Sequence, residues 1–451
     1  MYAIRWTILS RYGWIWPVCF AIAVCHIFAL PLLATFDSHG YLHLAQILGT
    51  SRFPAEWDFL RTPLFPALLK LTFLVFGADA LALFFLQAVL GCAGIWLLSR
   101  RARGPRLAAG VLLLAAFPTL IAYEHAFLSE PGTFFFFALL ITMLASPRAP
   151  SFPGAAWLAA AIGAGFYYRS SLLYLAPLIA AIYVMSAVRP SPRRSLPQFL
   201  IVAAVPFLIA YPWQRNPQTA ARTGRNVILY GLVKQAVLPL TDPVLGDAAN
   251  LYSSAVEASK TNGSLPNSGL TGGRHTAVIR AIGQNGPEAL AIFARSVAGN
   301  PSGYLAGVGR NLLLYATLVQ DPTDPVYNND RVREIVFSST ASQIDPGPPE
   351  LGSLGEGFSR RVRPNPVSLA MRALAPIYEW LVRLGLLATL AGLFMGIRRW
   401  DRGIVAYTAL PLAFILMHAL LLLSGDRMIM PAQPVLLWNL VMLPAWLGRG
   451  T

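Results

Sequence analysis

Apolar runs of near membrane-crossing length recur along this 451-residue chain, and short arginine-rich loops separate many of them. A hydrocarbon core takes roughly 20 apolar residues per helix to cross, so the pattern commits the chain to helices packed in lipid. Hydrophobic residues make up 56% and charged residues 12%, about half the charge of a soluble domain. The expected fold class is an all-α polytopic membrane protein. The net charge of +15 does not point to nucleic acid, because much of it sits in short loops: Arg100, Arg101, Arg103 and Arg106; Arg148; Arg189, Arg193 and Arg194; Arg398, Arg399 and Arg402. Arginine clusters of this kind mark the cytoplasmic ends of membrane-crossing segments.

With the N-terminus inside, that rule is satisfied by about ten spans, in a range of roughly 9–13, with both chain ends in the cytoplasm. They are 15–34, 79–99, 107–122, 131–145, 155–168, 171–188, 197–213, 377–397, 403–423 and 431–447. The apolar piece 62–77 is short and holds two prolines and Lys70. If it crossed, the 100–106 cluster would invert, so it is read as a helix in the outer interface. Within 287–319, Arg295 and Arg310 interrupt the apolar pattern, which predicts one or two amphipathic helices on the outer surface. Three parts result: a module 1–213 with a first external loop 35–78, an external and partly irregular region 214–375, and closing spans in 376–451. Every acid except Asp401 then falls at or beyond the outer edge. Chemistry is expected on that side.

The loop 35–78 gathers Asp37, Glu56 and Asp58 with His39, His43, Arg52 and Arg61. An acid at the mouth of a span is costly unless it is solvated, paired or used. Further polar groups reach the same side: Glu124, His125 and Glu130, then Arg169 at a hairpin tip, then Arg427 before the last span. His39 and His43 stand at i, i+4, a metal-ligand spacing; with Asp37 and His125 they offer a site for a divalent cation such as Mg, Mn or Zn. His26 and His418 lie inside spans and are expected as hydrogen-bonded core residues. Cys19, Cys25 and Cys92 are expected to be buried as small hydrophobes. The sequence holds no P-loop, GxGxxG or CxxC pattern and no DxD pair, which argues against nucleotide-driven transport and a soluble nucleotide-sugar transferase.

The order of these features resembles the GT-C superfamily, with bacterial members similar to protein O-mannosyltransferases and lipid A aminoarabinose transferases. The resemblance is carried by Asp37 with Tyr41, by Arg61-Thr62-Pro63-Leu64-Phe65-Pro66, by Leu128-Ser129-Glu130, by Arg169, and by Gly425-Asp426-Arg427 followed by Pro431. It covers 1–213 and, more loosely, 375–451. It implies a GT-C fold and an inverting glycosyltransferase in the bacterial inner membrane, active on the periplasmic side. The donor would be a sugar on a polyprenyl phosphate, and the acceptor a glycolipid, a polysaccharide or a protein. Partners would otherwise be membrane lipids, with no nucleic acid. Asp37 matches the family's essential acid and would act as general base. Glu130 matches its second external acid, which positions acceptor or metal. Arg61, Arg169 and Arg427 would bind phosphate, with Tyr41, Glu124 and His125 completing the substrate site. Relatives often carry lysine at the Arg61 and Arg169 places.

Simpler roles stand beside these. Asp37 could cap a helix over 40–48, Glu130 could favour the dipole of the fourth span, and the arginines could snorkel or pair with acids. Glu56 and Asp58 are as readily solvated charges as functional ones. A transporter or flippase of lipid-linked saccharides would place charges midway through its spans. A noncatalytic envelope scaffold is the third class.

Overall fold

The computed structural model describes residues 13–30, 36–53, 61–77, 80–100, 102–125, 128–188, 192–215, 229, 231–261, 278, 282, 289–317, 366–422 and 430–448. Among them every regular element is helical. Helices α1 (Ile15–Ala29), α2 (Phe36–Ile47), α3 (Leu64–Phe76), α4 (Ala80–Ser99), α5 (Pro105–Ala115) and α6 (Pro118–Glu124) come first. Next are α7 (Glu130–Leu144), α8 (Phe152–Tyr168), a 3₁₀ turn (Ser170–Leu175), α9 (Ala176–Val188) and α10 (Pro192–Arg215). A second 3₁₀ turn (Pro243–Ala248) leads to α11 (Ala249–Thr261), α12 (Ala289–Gly299) and α13 (Pro301–Thr317). The chain closes with α14 (Pro366–Arg399), α15 (Arg402–Leu420) and α16 (Gln433–Leu447).

The protein is an all-α, multi-pass membrane protein. Four stretches are long and apolar enough to cross a bilayer: Leu81–Ser99, Ser195–Arg215, Leu369–Arg399 and Arg402–Leu420. The bent pair α5–α6 makes a fifth if it crosses as one, and shorter apolar helices include α1, α3, α7 and α16. Their outer surfaces are lipid-like. Val18, Phe20 and Phe28 on α1 and Leu74, Val75 and Phe76 on α3 are exposed, as expected where lipid replaces water.

Several sequence expectations need correction. The stretch 107–122 is not one continuous span: it breaks between α5 and α6 with a bend of 52°. Pro118 opens α6, where its missing N–H costs nothing, whereas inside a continuous helix its ring would strike the preceding turn. The stretch 171–188 starts as a 3₁₀ turn and becomes α-helical only at Ala176. The span expected over 377–397 lies within a longer helix, because α14 already begins at Pro366. Pro376 lies inside that helix rather than at its boundary. Cys19 is buried and Cys92 half-buried, but Cys25 is exposed.

The helices divide into two compact units. The first comprises Met1–Ile209, Thr317–Leu412 and Met430–Thr451. Here α4 lies along α7, and α14 along α16. The Asn439 amide on α16 donates to Thr389 Oγ1 at 3.0 Å and to the Tyr407 carbonyl at 2.8 Å, tying three helices together in an apolar interior. Arg402 donates to the Tyr183 carbonyl on α9 and to the Ser146 and Arg148 carbonyls just past the C-terminal end of α7, where backbone acceptors lack helical partners.

The second unit comprises Ala210–Ala316 and Ala413–Ile429. Asp242, buried, accepts from the Val244 N–H at 3.0 Å and pairs with Arg295 at 3.3 Å. Arg295 thus has a partner on another element of its unit. The 287–319 stretch forms two helices, α12 and α13, and the Tyr304 hydroxyl donates to the Leu420 carbonyl at 3.0 Å. His418 is buried and bonds the Phe414 carbonyl at 2.8 Å.

Candidate functional site

The helix α2 is the base of the site, and it starts earlier than the sequence suggested. It begins at Phe36, so Asp37 stands in its first turn instead of capping a helix over 40–48. Successive helical residues are rotated by about 100°, which puts i, i+3 and i+4 on one face. Asp37, Gly40 and Tyr41 therefore share a face. His39 follows Asp37 by two positions and lies roughly 200° around the helix, and His43 falls with His39. The metal expectation on Asp37, His39 and His43 falls partly outside the residues whose side chains are described. Among the described residues no group of three or more His, Cys, Asp or Glu side chains is placed to hold a metal.

The shared face meets three other parts of the first unit. The Tyr41 hydroxyl is hydrogen-bonded to Ser129 Oγ at 3.1 Å, linking α2 to the residue just before α7. The Arg61 guanidinium lies 5.1 Å from the centre of the Tyr41 ring, a cation–π distance. Phe65, two positions into α3, packs edge-on to Tyr41 at 4.9 Å. Gly40 makes the approach of Arg61 practicable, since a Cβ there would lie 2.7 Å from both Cζ and Nη1 of that side chain. Burial raises the Tyr41 phenol above its ordinary pKa, reinforced by the Glu130 carboxylate and opposed by Arg61 and Arg169. Tyr41 is therefore a neutral hydroxyl at working pH. Burial also lowers the Arg61 pKa, against the pull of Tyr41, yet from so high a reference that it remains a cation.

Glu130 opens α7 and is fully buried; its Oε1 accepts from Arg169 Nη1 at 2.9 Å. The sequence expected phosphate binding from Arg169, and in the structure Arg169 is paired with the buried Glu130 carboxylate. Arg169 can sit there because α8 ends at Tyr168 and the chain turns extended before the 3₁₀ turn. Tyr168 packs beside Phe65 and Phe136, at 5.7 and 5.4 Å. Its hydroxyl is buried with no hydrogen-bond partner, a polar group that burial makes costly.

Glu124 and His125 close α6, and both are buried. They meet α1. His26 Nε2 lies 3.2 Å from Glu124 Oε2, and His26 Nδ1 lies 2.9 Å from His125 Nε2. His125 also stacks on Phe84 at 4.5 Å. Gly91 on α4 leaves room for this acid, because a Cβ there would overlap Glu124 Oε1. His26 was expected to be a bonded core residue and is one. What the sequence did not reveal is that its partners are Glu124 and His125. Nor did it assign roles to Ser129 or Gly40, although Ser129 sits inside a quoted motif and Gly40 lies one helical turn from Asp37.

Glu56, Asp58 and Arg427 lie outside the described residues, as do the side chains of Asp37 and His39. The arrangement around Tyr41 combines a face carrying an acid position, a cation at Arg61 and a buried carboxylate–guanidinium pair. That combination suits a proton-accepting step next to an anionic group.

No protein-family model and no curated protein matches the chain. Among solved structures it is similar to ArnT from Cupriavidus metallidurans bound to undecaprenyl phosphate, at TM-score 0.38 and 15% identity, covering 98% of this chain and 78% of that one. It is also similar to ArnT from the same organism in the apo state, at TM-score 0.34 and 14% identity, covering 100% and 78%.

Proposed function

We propose that the chain is an inverting membrane glycosyltransferase of the GT-C type, moving a monosaccharide from a polyprenyl-phosphate donor to an acceptor hydroxyl on the periplasmic face of the inner membrane. The observation that carries this reading is the meeting of the Asp37 face of α2 with Arg61, Ser129 and the Glu130–Arg169 pair. A prenyl tail dissolves in the bilayer and leaves its phosphate at the interface. An acceptor oxygen attacking the anomeric carbon must lose a proton as the lipid phosphate leaves. Asp37 takes that proton, and desolvation beside the bilayer moves a carboxylate toward the range in which it can do so. Arg61 stabilises the charge that develops on the leaving phosphate. Arg427, placed before the last helix in sequence, joins it in this proposal. Arg169 acts one step back, holding Glu130 where it orients the acceptor.

Incubating the purified full chain with a panel of labelled polyprenyl-phosphate sugars tests the class. Transfer or hydrolysis of one donor is expected, and silence across the panel would remove the enzyme reading. Asp37→Asn should lower turnover by about 10²–10⁴-fold, the range of a lost general base. A variant retaining full transfer would take Asp37 out of the mechanism.

A further inference from the structure

We infer that the first unit holds a second binding site, at the end of α7 remote from Glu130, for the phosphate headgroup of an anionic membrane phospholipid. A cavity of about 1160 Å³ opens there. Glu130 is the first residue of α7, and Thr142 and Met143 of its last turn line the cavity; the rise along a helix separates them by about 20 Å. The site is therefore distinct from the Tyr41–Glu130 cluster.

Four arginines, Arg100, Arg103, Arg106 and Arg148, surround this cavity. No carboxylate pairs with any of them among the described residues. The Arg100 guanidinium lies over the Trp96 ring at 5.1 Å, which leaves its charge uncompensated. Membrane-sidedness explains why arginines stand at this end of the helices. It does not explain why four unpaired guanidiniums ring one cavity, where like charges repel and a bound anion relieves them. The wall behind the rim is apolar, with Leu97, Leu139, Met143 and Met442 contributed by α4, α7 and α16. A free phosphate would use the rim alone. An anionic phospholipid uses both surfaces, its phosphate on the arginines and the start of its acyl chains against the wall.

Native mass spectrometry of the full chain, equilibrated with equal amounts of phosphatidylglycerol and phosphatidylcholine, reads the site directly. Retention of phosphatidylglycerol over phosphatidylcholine is expected. Arg103→Gln/Arg148→Gln leaves Arg100, Arg101 and Arg106 to set the membrane orientation, and it should weaken that retention about 30-fold. Thr142→Trp fills the cavity without changing any charge and should weaken it as well. Equal retention of the two lipids would overturn the inference, as would unchanged retention in Thr142→Trp. Displacement of the lipid by inorganic phosphate at equal concentration would also overturn it, by assigning the rim to a free anion.

Discussion

Glu130 and Arg169 illustrate what a buried ion pair asks of both residues. Desolvation of each charge is offset in large part by the other, so removing one partner leaves the second poorly compensated. Glu130→Ala or Arg169→Ala should each lower unfolding stability by about 3–5 kcal/mol. The double variant Glu130→Leu/Arg169→Met should recover most of that stability while losing sugar transfer, and thermal unfolding in detergent alongside labelled transfer checks both. A double variant as unstable as either single one would mean that the pair's surroundings, not its charges, set the cost. Gly40 poses a different question. Alanine there gains helix propensity of about 1 kcal/mol, yet its methyl takes the space of the Arg61 guanidinium. Gly40→Ala should leave melting unchanged or raised while increasing the donor KM about tenfold, as for a lost charge-assisted contact. A normal KM would place the phosphate elsewhere.

At the scale of elements, His26 is what fastens α1 to α6. It reaches Glu124 at 3.2 Å and His125 at 2.9 Å from inside an otherwise apolar helix. His26→Phe leaves the Glu124 carboxylate buried without that partner and should cost about 1–3 kcal/mol. Adding Glu124→Gln to the His26→Phe background should return part of the loss, since the stranded charge is gone. Unfolding midpoints of the two variants decide the matter. The helices themselves were legible in the sequence because apolar runs in lipid have few alternatives. Their breaks were less so: Pro118 starts a new helix, whereas Pro376 sits within one. Proline identity alone does not distinguish the two, because neighbouring helices decide whether the freed backbone groups find partners. The candidate site was partly legible for a similar reason. Spacing along α2 puts Asp37 and Tyr41 on one face, but nothing local shows that Arg169 turns to Glu130 across 39 residues of chain.

For the whole molecule, the two ends of α7 carry different chemistry, a buried ion pair at one and, at the other, a ring of arginines that no carboxylate pairs with among the described residues. The helix joining them has 15 residues, as does α1, and at 1.5 Å per residue each is about 22 Å long. A typical hydrocarbon slab is about 30 Å thick. Where α1 presents Val18, Phe20 and Phe28 outward, a hydrocarbon slab matched to helices of this length would have to thin. Such thinning would bring the two headgroup planes closer together. Reconstitution in short-chain phosphatidylcholine should then support faster transfer than in long-chain phosphatidylcholine at equal donor density. A rate indifferent to chain length would show that the membrane does not deform around these helices. On the proposed function, hydrophobic mismatch would become a control on when a lipid-borne sugar reaches Asp37.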